Sequence, residues 1–410
     1  MDITKKPAIR FKGFSDEWKQ HPMDELTTEL HEYATLDSSY PLLTSSREGI
    51  MFQNEYRSNR TTESSRTLFS IVPYGICTYR HMSDDDIFHF NINDIVENGL
   101  VSREYPVFDS TDGNDLRFIV TLLNSSARFR KFCRERKIGG TRTRLYYKDL
   151  SNFKPLCPKF DEQQSIAEFL DGITSIISQH QSKLEKLQAL KISMLEKMFP
   201  KDATEVPEVR FKGFTEAWDK YELGKLCVKF TDGDWIESKD QSNSGIRLIQ
   251  TGNIGIAEYL DKPKSKKWIS NETFERLHCE EVFPGDILIS RLPEPAGRAC
   301  IVPDIGVRMI TAVDCTIVRT NSGVSNKFLV QYLSSQRYFD KVNAVLAGGT
   351  RQRISRSNLS SLSILIPKDF KEQEAIGNYF THLNTVITLQ QQKLDKLQSI
   401  KKALLEKMFV

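Results

Sequence analysis

Between residues 166 and 198 apolar side chains step along the chain by four and three: Ile166, Leu170, Ile173, Ile177, Leu184, Leu187, Met194 and Met198. His180 and Lys191 fall in the same series. A second stretch repeats the rhythm with Ile376, Phe380, Leu383, Ile387, Leu394, Leu397, Leu404 and Met408, and places Gln390 and Lys401 at the corresponding polar positions. A 3-4 spacing held this long predicts coiled-coil helices, and polar residues in the seam cost stability but fix register and partner. Each helix is expected to run about 37 residues, roughly 55 Å at 1.5 Å per residue. Pro158 and Pro367 stand just before the two stretches and Pro200 closes the first, positions where proline bounds a helix. Elsewhere the apolar runs are short. IRLI (246–249), GDILIS (285–290), ACIV (299–302) and CTIV (315–318) read as strands, while residues 116–133 and 327–342 have helical spacing.

The chain is written twice. Residues 7–18, PAIRFKGFSDEW, return as PEVRFKGFTEAW at 207–218, with seven of twelve positions identical. Residues 161–199 lie on 371–409 with sixteen of 39 identical, and Gly139-Gly140-Thr141-Arg142 recurs as Gly348-Gly349-Thr350-Arg351. Between these matching frames the two inserts show no alignment that can be defended. Fixed frames around divergent contents predict a symmetric scaffold presenting two different binding surfaces. The expected fold is therefore mixed α/β with a pseudo-twofold internal duplication: a globular domain over 1–157, a helix over 158–200, a second globular domain over 201–366 and a second helix over 367–410. Two similar helices separated by a folded domain most simply pair antiparallel as a strut.

Composition narrows the function. Hydrophobic residues at 39% and charged residues at 27% suit packed cores. No apolar run reaches the roughly 18–20 residues of a membrane span, and nothing apolar follows the opening MDITKKP, so an internal, soluble, cytoplasmic protein without membrane association is expected. Seven scattered cysteines without a CxxC pair read as reduced thiols, and neither they nor the seven histidines have the short spacing of zinc ligands. With 57 basic against 54 acidic residues the net charge is only +3, so a nucleic-acid surface has to come from local placement of cations. Such placement exists. Arg142, Arg144 and Lys148 follow one Gly-Gly turn, and Arg351, Arg353 and Arg356 follow the other, an arrangement suited to phosphate contact. Arg57, Arg60 and Arg66 stand among Gln53, Asn54, Tyr56 and Asn59, while Gln250, Thr251, Asn253, Lys266 and Arg291 form the comparable set in the second insert.

Motifs for chemistry are missing. The sequence holds no GxxxxGK[ST] loop, no GxGxxG after a strand, no adjacent prolines and no recognisable nucleophile motif. Asp232-Gly-Asp234-Trp-Ile-Glu237-Ser-Lys239 has the residue types of a metal-dependent nuclease, but its acids are too close together for strand-separated ligands. A chain without catalysis or resident metal is expected.

With the frame duplication, the Glu162-Gln163-x-x-Ile166 and Glu372-Gln373-x-x-Ile376 helix starts, the Lys-Leu-x-Lys-Leu-Gln heptads, and the IRLIQTGNIG, GDILISR, GRACIVPD and GGTRQRIS blocks in view, the chain resembles the specificity subunit of type I restriction-modification systems over nearly its full length. The first insert departs from the pattern, lacking the GDIL and GRA blocks. The resemblance implies two target recognition domains that each read half of a bipartite site on double-stranded DNA, about one helical turn or roughly 34 Å apart. It further implies paired helices that set the spacer and dock two methyltransferase subunits, with restriction subunits joining through these. S-adenosylmethionine, ATP and Mg would then serve the partners. A coiled-coil adaptor binding other proteins is the alternative.

Overall fold

The computed structural model describes residues 6–56, 66–136, 142–201, 204–348 and 352–409. Two helices dominate, Phe160–Lys197 and Phe370–Met408. Every seam position named above is buried or half-buried in both, and most residues between them from 171 to 193 and from 381 to 403 are exposed. By its contacts the chain divides into two units, Met1–Gln181 with Lys393–Val410, and Ser182–Gln392. Each unit therefore combines one globular region with part of both helices. Within the first unit, Ile166, Ala167 and Leu170 near the start of one helix share a core with Leu404, Leu405 and Met408 near the end of the other. Within the second, Ile376 and Phe380 share a core with Met194, Leu195 and Met198. Start against end in both cases is antiparallel pairing.

The duplicated frame explains itself in hydrogen bonds. Arg10 donates from Nε and Nη2 to the two carboxylate oxygens of Glu162 at 2.6 and 2.7 Å. Arg210 does the same to Glu372 at 2.6 and 2.8 Å. Both glutamates are about 1% exposed, and bidentate guanidinium–carboxylate pairs are the strongest of the charge-assisted hydrogen bonds. The hydrogen bond to the carboxylate is the main reason that each arginine's pKa rises above its ordinary value. The neighbouring glutamines stitch the helix start to the globular region. Gln163 accepts from the Asp115 amide at 3.0 Å and donates to the Pro158 carbonyl at 3.0 Å. Gln373 accepts from the Ser325 amide at 2.9 Å and donates to the Pro367 carbonyl at 3.0 Å. The end of one long helix enters each frame: Phe409 meets Trp18 and Phe118 in the first unit, and Phe199 meets Trp218 and Phe328 in the second. The Ile9 amide donates to the Lys407 carbonyl at 3.0 Å, and the Val209 amide to that of Lys197 at 2.9 Å.

The inserts, which share no defensible alignment in sequence, share a topology. In the first unit an antiparallel four-stranded sheet runs in the order Thr27–Glu29, Val107–Ser110, Cys77–Tyr79, Phe90–Ile92. In the second the order is Cys227–Asp232, Cys315–Thr320, Ile287–Ser290, Ala299–Ile301. Even the register matches: Val107 opposite Thr78 and Phe108 opposite Cys77 become Ile317 opposite Leu288 and Val318 opposite Ile287, each 210 residues later. Gly75 and Gly285 both adopt positive φ, 82° and 94°, in the turn before the central strand, a conformation open to glycine at little cost. The first insert thus does contain the counterpart of the GDIL strand. Its inward residues are Cys, Thr and Tyr instead of aliphatics, which hid it.

The two helical stretches outside the seam are each divided. Leu116–Ser125 gives way to Ala127–Glu135, and Asn326–Tyr332 to Gln336–Ala344. Ser126 and Ser335 take extended backbone and accept the amides of Phe129 and Tyr338. A serine hydroxyl competes well for backbone donors at a helix start, so it ends one helix and begins the next where periodicity alone reads one.

Replacing Glu372 by Ala strands the Arg210 guanidinium in a buried site and should lower stability by about 3 kcal/mol in urea unfolding. The paired change Arg210→Met with Glu372→Leu should recover most of that loss.

Candidate nucleic-acid interface

In the second unit the basic loop returns onto the central strand of the sheet. Ala347 and Arg353 form an isolated antiparallel bridge, and the Ile354 amide donates to the Arg291 carbonyl at 3.1 Å. Arg291 itself is buried. Its Nη2 donates to the Val313 carbonyl at 2.6 Å and lies 3.3 Å from Asp232, and burial lowers its pKa below the ordinary guanidinium value. Arg353 is exposed, 3.5 Å from Asp314, and Arg356 is 3.9 Å from Asp232. Exposed pairs of this kind contribute little to stability, so both guanidinium groups can exchange a carboxylate for a phosphate at small cost. Arg351 lies outside the described residues.

Gln250, Thr251 and Asn253 form a tight turn after the strand Ile246–Ile249. Asn253 is buried and works inward: its Oδ1 accepts from the Gln250 amide at 3.0 Å and its Nδ2 donates to the Leu260 carbonyl at 2.8 Å. Gln250 and Thr251 remain half-exposed, while Lys266 is exposed and 3.3 Å from Asp261. Arg291 and Asn253, both expected to touch a ligand directly, are thus engaged with the protein's own backbone.

Arg298, in the GRAC block, organises this surface. Arg298 donates to four backbone carbonyls: Ile254 at 2.7 Å, Thr251 at 2.9 Å, Leu292 at 2.8 Å and Pro295 at 3.0 Å. It ties the Gln250–Asn253 turn to the loop after Arg291. Burial lowers its pKa relative to a free guanidinium. No pattern of spacing marks it, because its partners are main-chain oxygens from distant segments. Trp235 is a second omission, an indole 71% exposed beside this sheet's edge.

In the first unit Arg144 is exposed in a short strand opposite Met82. Arg142 donates to Asp84 at 2.7 Å, with both side chains exposed, and Thr143 is hydrogen-bonded to Asp86. The Leu145 amide donates to the His81 carbonyl at 2.8 Å, the same stitch that Ile354 makes to Arg291. Arg66 is exposed at the edge of a described segment, whereas Arg57 and Arg60 lie outside the described residues. The structure therefore brings Arg142 and Arg144 together near His81.

The acidic run resolves into separate structural contacts. Asp232 accepts from the Thr316 hydroxyl, Asp234 accepts from the Glu280 amide at 2.9 Å, Glu237 pairs with Lys239, and Asp240 pairs with Arg276. Among the described residues no three His, Cys, Asp or Glu side chains are gathered to hold a metal, and no helix is long and apolar enough to cross a membrane. All seven cysteines are unpaired, and burial pushes Cys157, Cys300 and Cys315 up to about 12.

A model of the type I restriction modification DNA specificity domain matches residues 215–399. The type I restriction enzyme MjaVIII specificity subunit of Methanocaldococcus jannaschii is 20% identical over 272 residues, 63% of this chain and 61% of that protein. The putative MjaX specificity subunit of the same organism is 23% identical over 263 residues, 62% of this chain and 58% of that protein. The chain spans about three-fifths of the length of these curated relatives. In fold it is similar to the type I restriction-modification S subunit from M. genitalium, with a TM-score of 0.63, 15% identity and 99% of each chain covered. It is also similar to a chain solved in work on complex assembly and conformational transition of the type I R-M system, with a TM-score of 0.52, 16% identity and 96% and 97% coverage.

Lysine cannot reproduce the fork that Arg298 makes. Arg298→Lys should cost about 2 kcal/mol in urea unfolding and should expose the 292–297 segment to limited proteolysis, with the first unit unaffected.

Proposed function

We propose that this chain, whose residues 215–399 carry a type I restriction modification DNA specificity domain and whose fold is that of an S subunit, is the DNA-recognition component of a type I restriction-modification complex. Each unit reads one half of a bipartite target on double-stranded DNA. The observation that carries this reading is the repetition of one sheet, one basic loop and one strand-end stitch in two units whose surface residues differ. Equal scaffolds with unequal surfaces suit two different half-sites.

The recognition chain is not the enzyme in this reading. Two methyltransferase subunits dock on the long helices and restriction subunits join through them. S-adenosylmethionine belongs to the first partner, ATP and Mg to the second, and the assembly is cytoplasmic. Support for docking on the helices comes from apolar side chains that point away from the seam: Leu190 and Ile400 are exposed at equivalent places in the two copies, and Ile192 and Leu389 are more exposed still. The repeated exposed apolar position at Leu190 and Ile400 suits two copies of one partner. The helices also set the unread spacer.

Long-read adenine-methylation mapping in a host expressing this chain with its methyltransferase, against the methyltransferase alone, should reveal one new bipartite motif. A stable complex that adds no motif favours the protein-adaptor reading. Four residues inserted near Leu187 should lengthen the unread spacer or abolish activity, leaving both half-site sequences unchanged; a new half-site with a constant spacer contradicts the helices' role as a ruler.

Arg144→Ala together with Arg353→Ala should weaken binding to every sequence and flatten the dependence of affinity on salt by about two phosphate contacts. A shift in sequence preference at constant salt slope would assign those arginines to bases instead.

A further inference from the structure

The two units carry the same unsatisfied feature at the same place. His81 follows the strand Cys77–Tyr79, and Arg291 follows the strand Ile287–Ser290, 210 residues later. Each residue's carbonyl is clasped by the first amide beyond the basic loop's strand, from Leu145 or from Ile354. Both residues are 4% exposed, and each keeps one buried nitrogen without a hydrogen-bond partner, His81 Nδ1 and Arg291 Nε. Orphaned buried donors and acceptors cost stability and are uncommon in native proteins. Of the two, His81 lines a cavity open to an incoming partner, whereas Arg291 is already held by the Val313 carbonyl and Asp232.

In the first unit the surroundings suit a nucleobase. A cavity of about 480 Å³ opens beside His81, with Tyr56, Phe88 and Tyr105 in its walls, within the range of about 300–1,000 Å³ common for small-ligand sites. The imidazole stacks on Tyr146 at 4.9 Å and 20°, and Tyr105 meets its edge at 6.4 Å. Tyr146 and Tyr56 stay exposed, offering ring faces for stacking. Burial holds the imidazole pKa below its usual range, so the neutral ring has one donor nitrogen and one acceptor. At the rim Arg47 pairs with Asp85 and Arg142 with Asp84, both at 2.7 Å and solvent-exposed. Such pairs are readily exchanged for phosphate.

We infer that His81 is where the first unit discriminates a base of its half-site, with the cavity beside it receiving one nucleobase. The inference rests on the DNA-reading function proposed above. A neutral imidazole can both donate and accept, so it can tell apart base edges that present different groups.

The test maps adenine methylation by the assembled methyltransferase complex carrying wild-type, His81→Ala or Tyr105→Phe chains. The expected result is relaxation at one base of one half-site for His81→Ala, with discrimination there reduced about tenfold, and the other half-site and the spacer unchanged. An unchanged motif in a folded His81→Ala complex overturns the inference, as does relaxation of both half-sites. If His81→Ala fails to assemble, Tyr105→Phe, a milder change in the cavity wall, decides by the same outcomes. A wild-type complex that yields no bipartite motif sinks the DNA-reading function itself, which keeps the two failures distinct.

Discussion

A buried carboxylate held by a guanidinium from a distant segment is the constraint on which each unit depends. Glu162 and Glu372 sit in the first turn of the long helices, where the helix dipole favours negative charge. Loss of Arg10 or Arg210 would leave a buried carboxylate without its partner. The same arginines reach the carbonyls of Asp16 and Glu216 and so fix the RFKGF turn to the helix start. The adjacent glutamines bind the helix start to the amide that opens the next helix of the globular region. One short sequence, Glu-Gln, thereby sets the angle at which a helix leaves its domain.

This frame leaves the surface of each insert free to vary. The four-stranded sheet needs only strand-forming residues that fill the space between its neighbours, and both Cys-Thr-Tyr and Ile-Leu-Ile satisfy that need. The loops at the strand ends are tied to the sheet by backbone hydrogen bonds, which tolerate any side chain. What differs between the units is consequently concentrated where the chain meets its surroundings. His81 stands where the other unit has Arg291, Glu104 where it has Asp314, and Tyr146 where it has Ser355. A scaffold that fixes the backbone and frees the strand-end side chains suits recognition of two unlike sequences by one architecture.

The second unit adds a way to hold its loops. Arg298 binds four carbonyls from two loops, and Arg247, about 1% exposed, donates to the carbonyls of Leu248 and Lys267 beneath Trp268. Buried guanidinium groups serving main-chain oxygens give order to irregular backbone where no regular ladder can. Several basic residues of this insert therefore act inward, and the outward ones, Arg353, Arg356 and Lys266, are left in exposed pairs that solvent screens.

Sequence by itself determined the duplication, the two long helices and their seam, because a repeated heptad and a repeated dodecamer are local patterns that survive without knowledge of contacts. It also placed the second insert's strands, whose aliphatic residues advertise their burial. It did not reveal that the first insert has the same sheet, since polar and aromatic residues fill equivalent buried positions there and periodicity carries no trace of volume. Nor could it tell inward from outward cations: Arg291, Arg298 and Arg353 read alike in the chain, and only the position of distant carbonyls and carboxylates separates them. The pairing of His81 with Arg291 is likewise a property of the folded chain, since equivalence of two positions across unlike sequences is defined by the register of the strands that carry them.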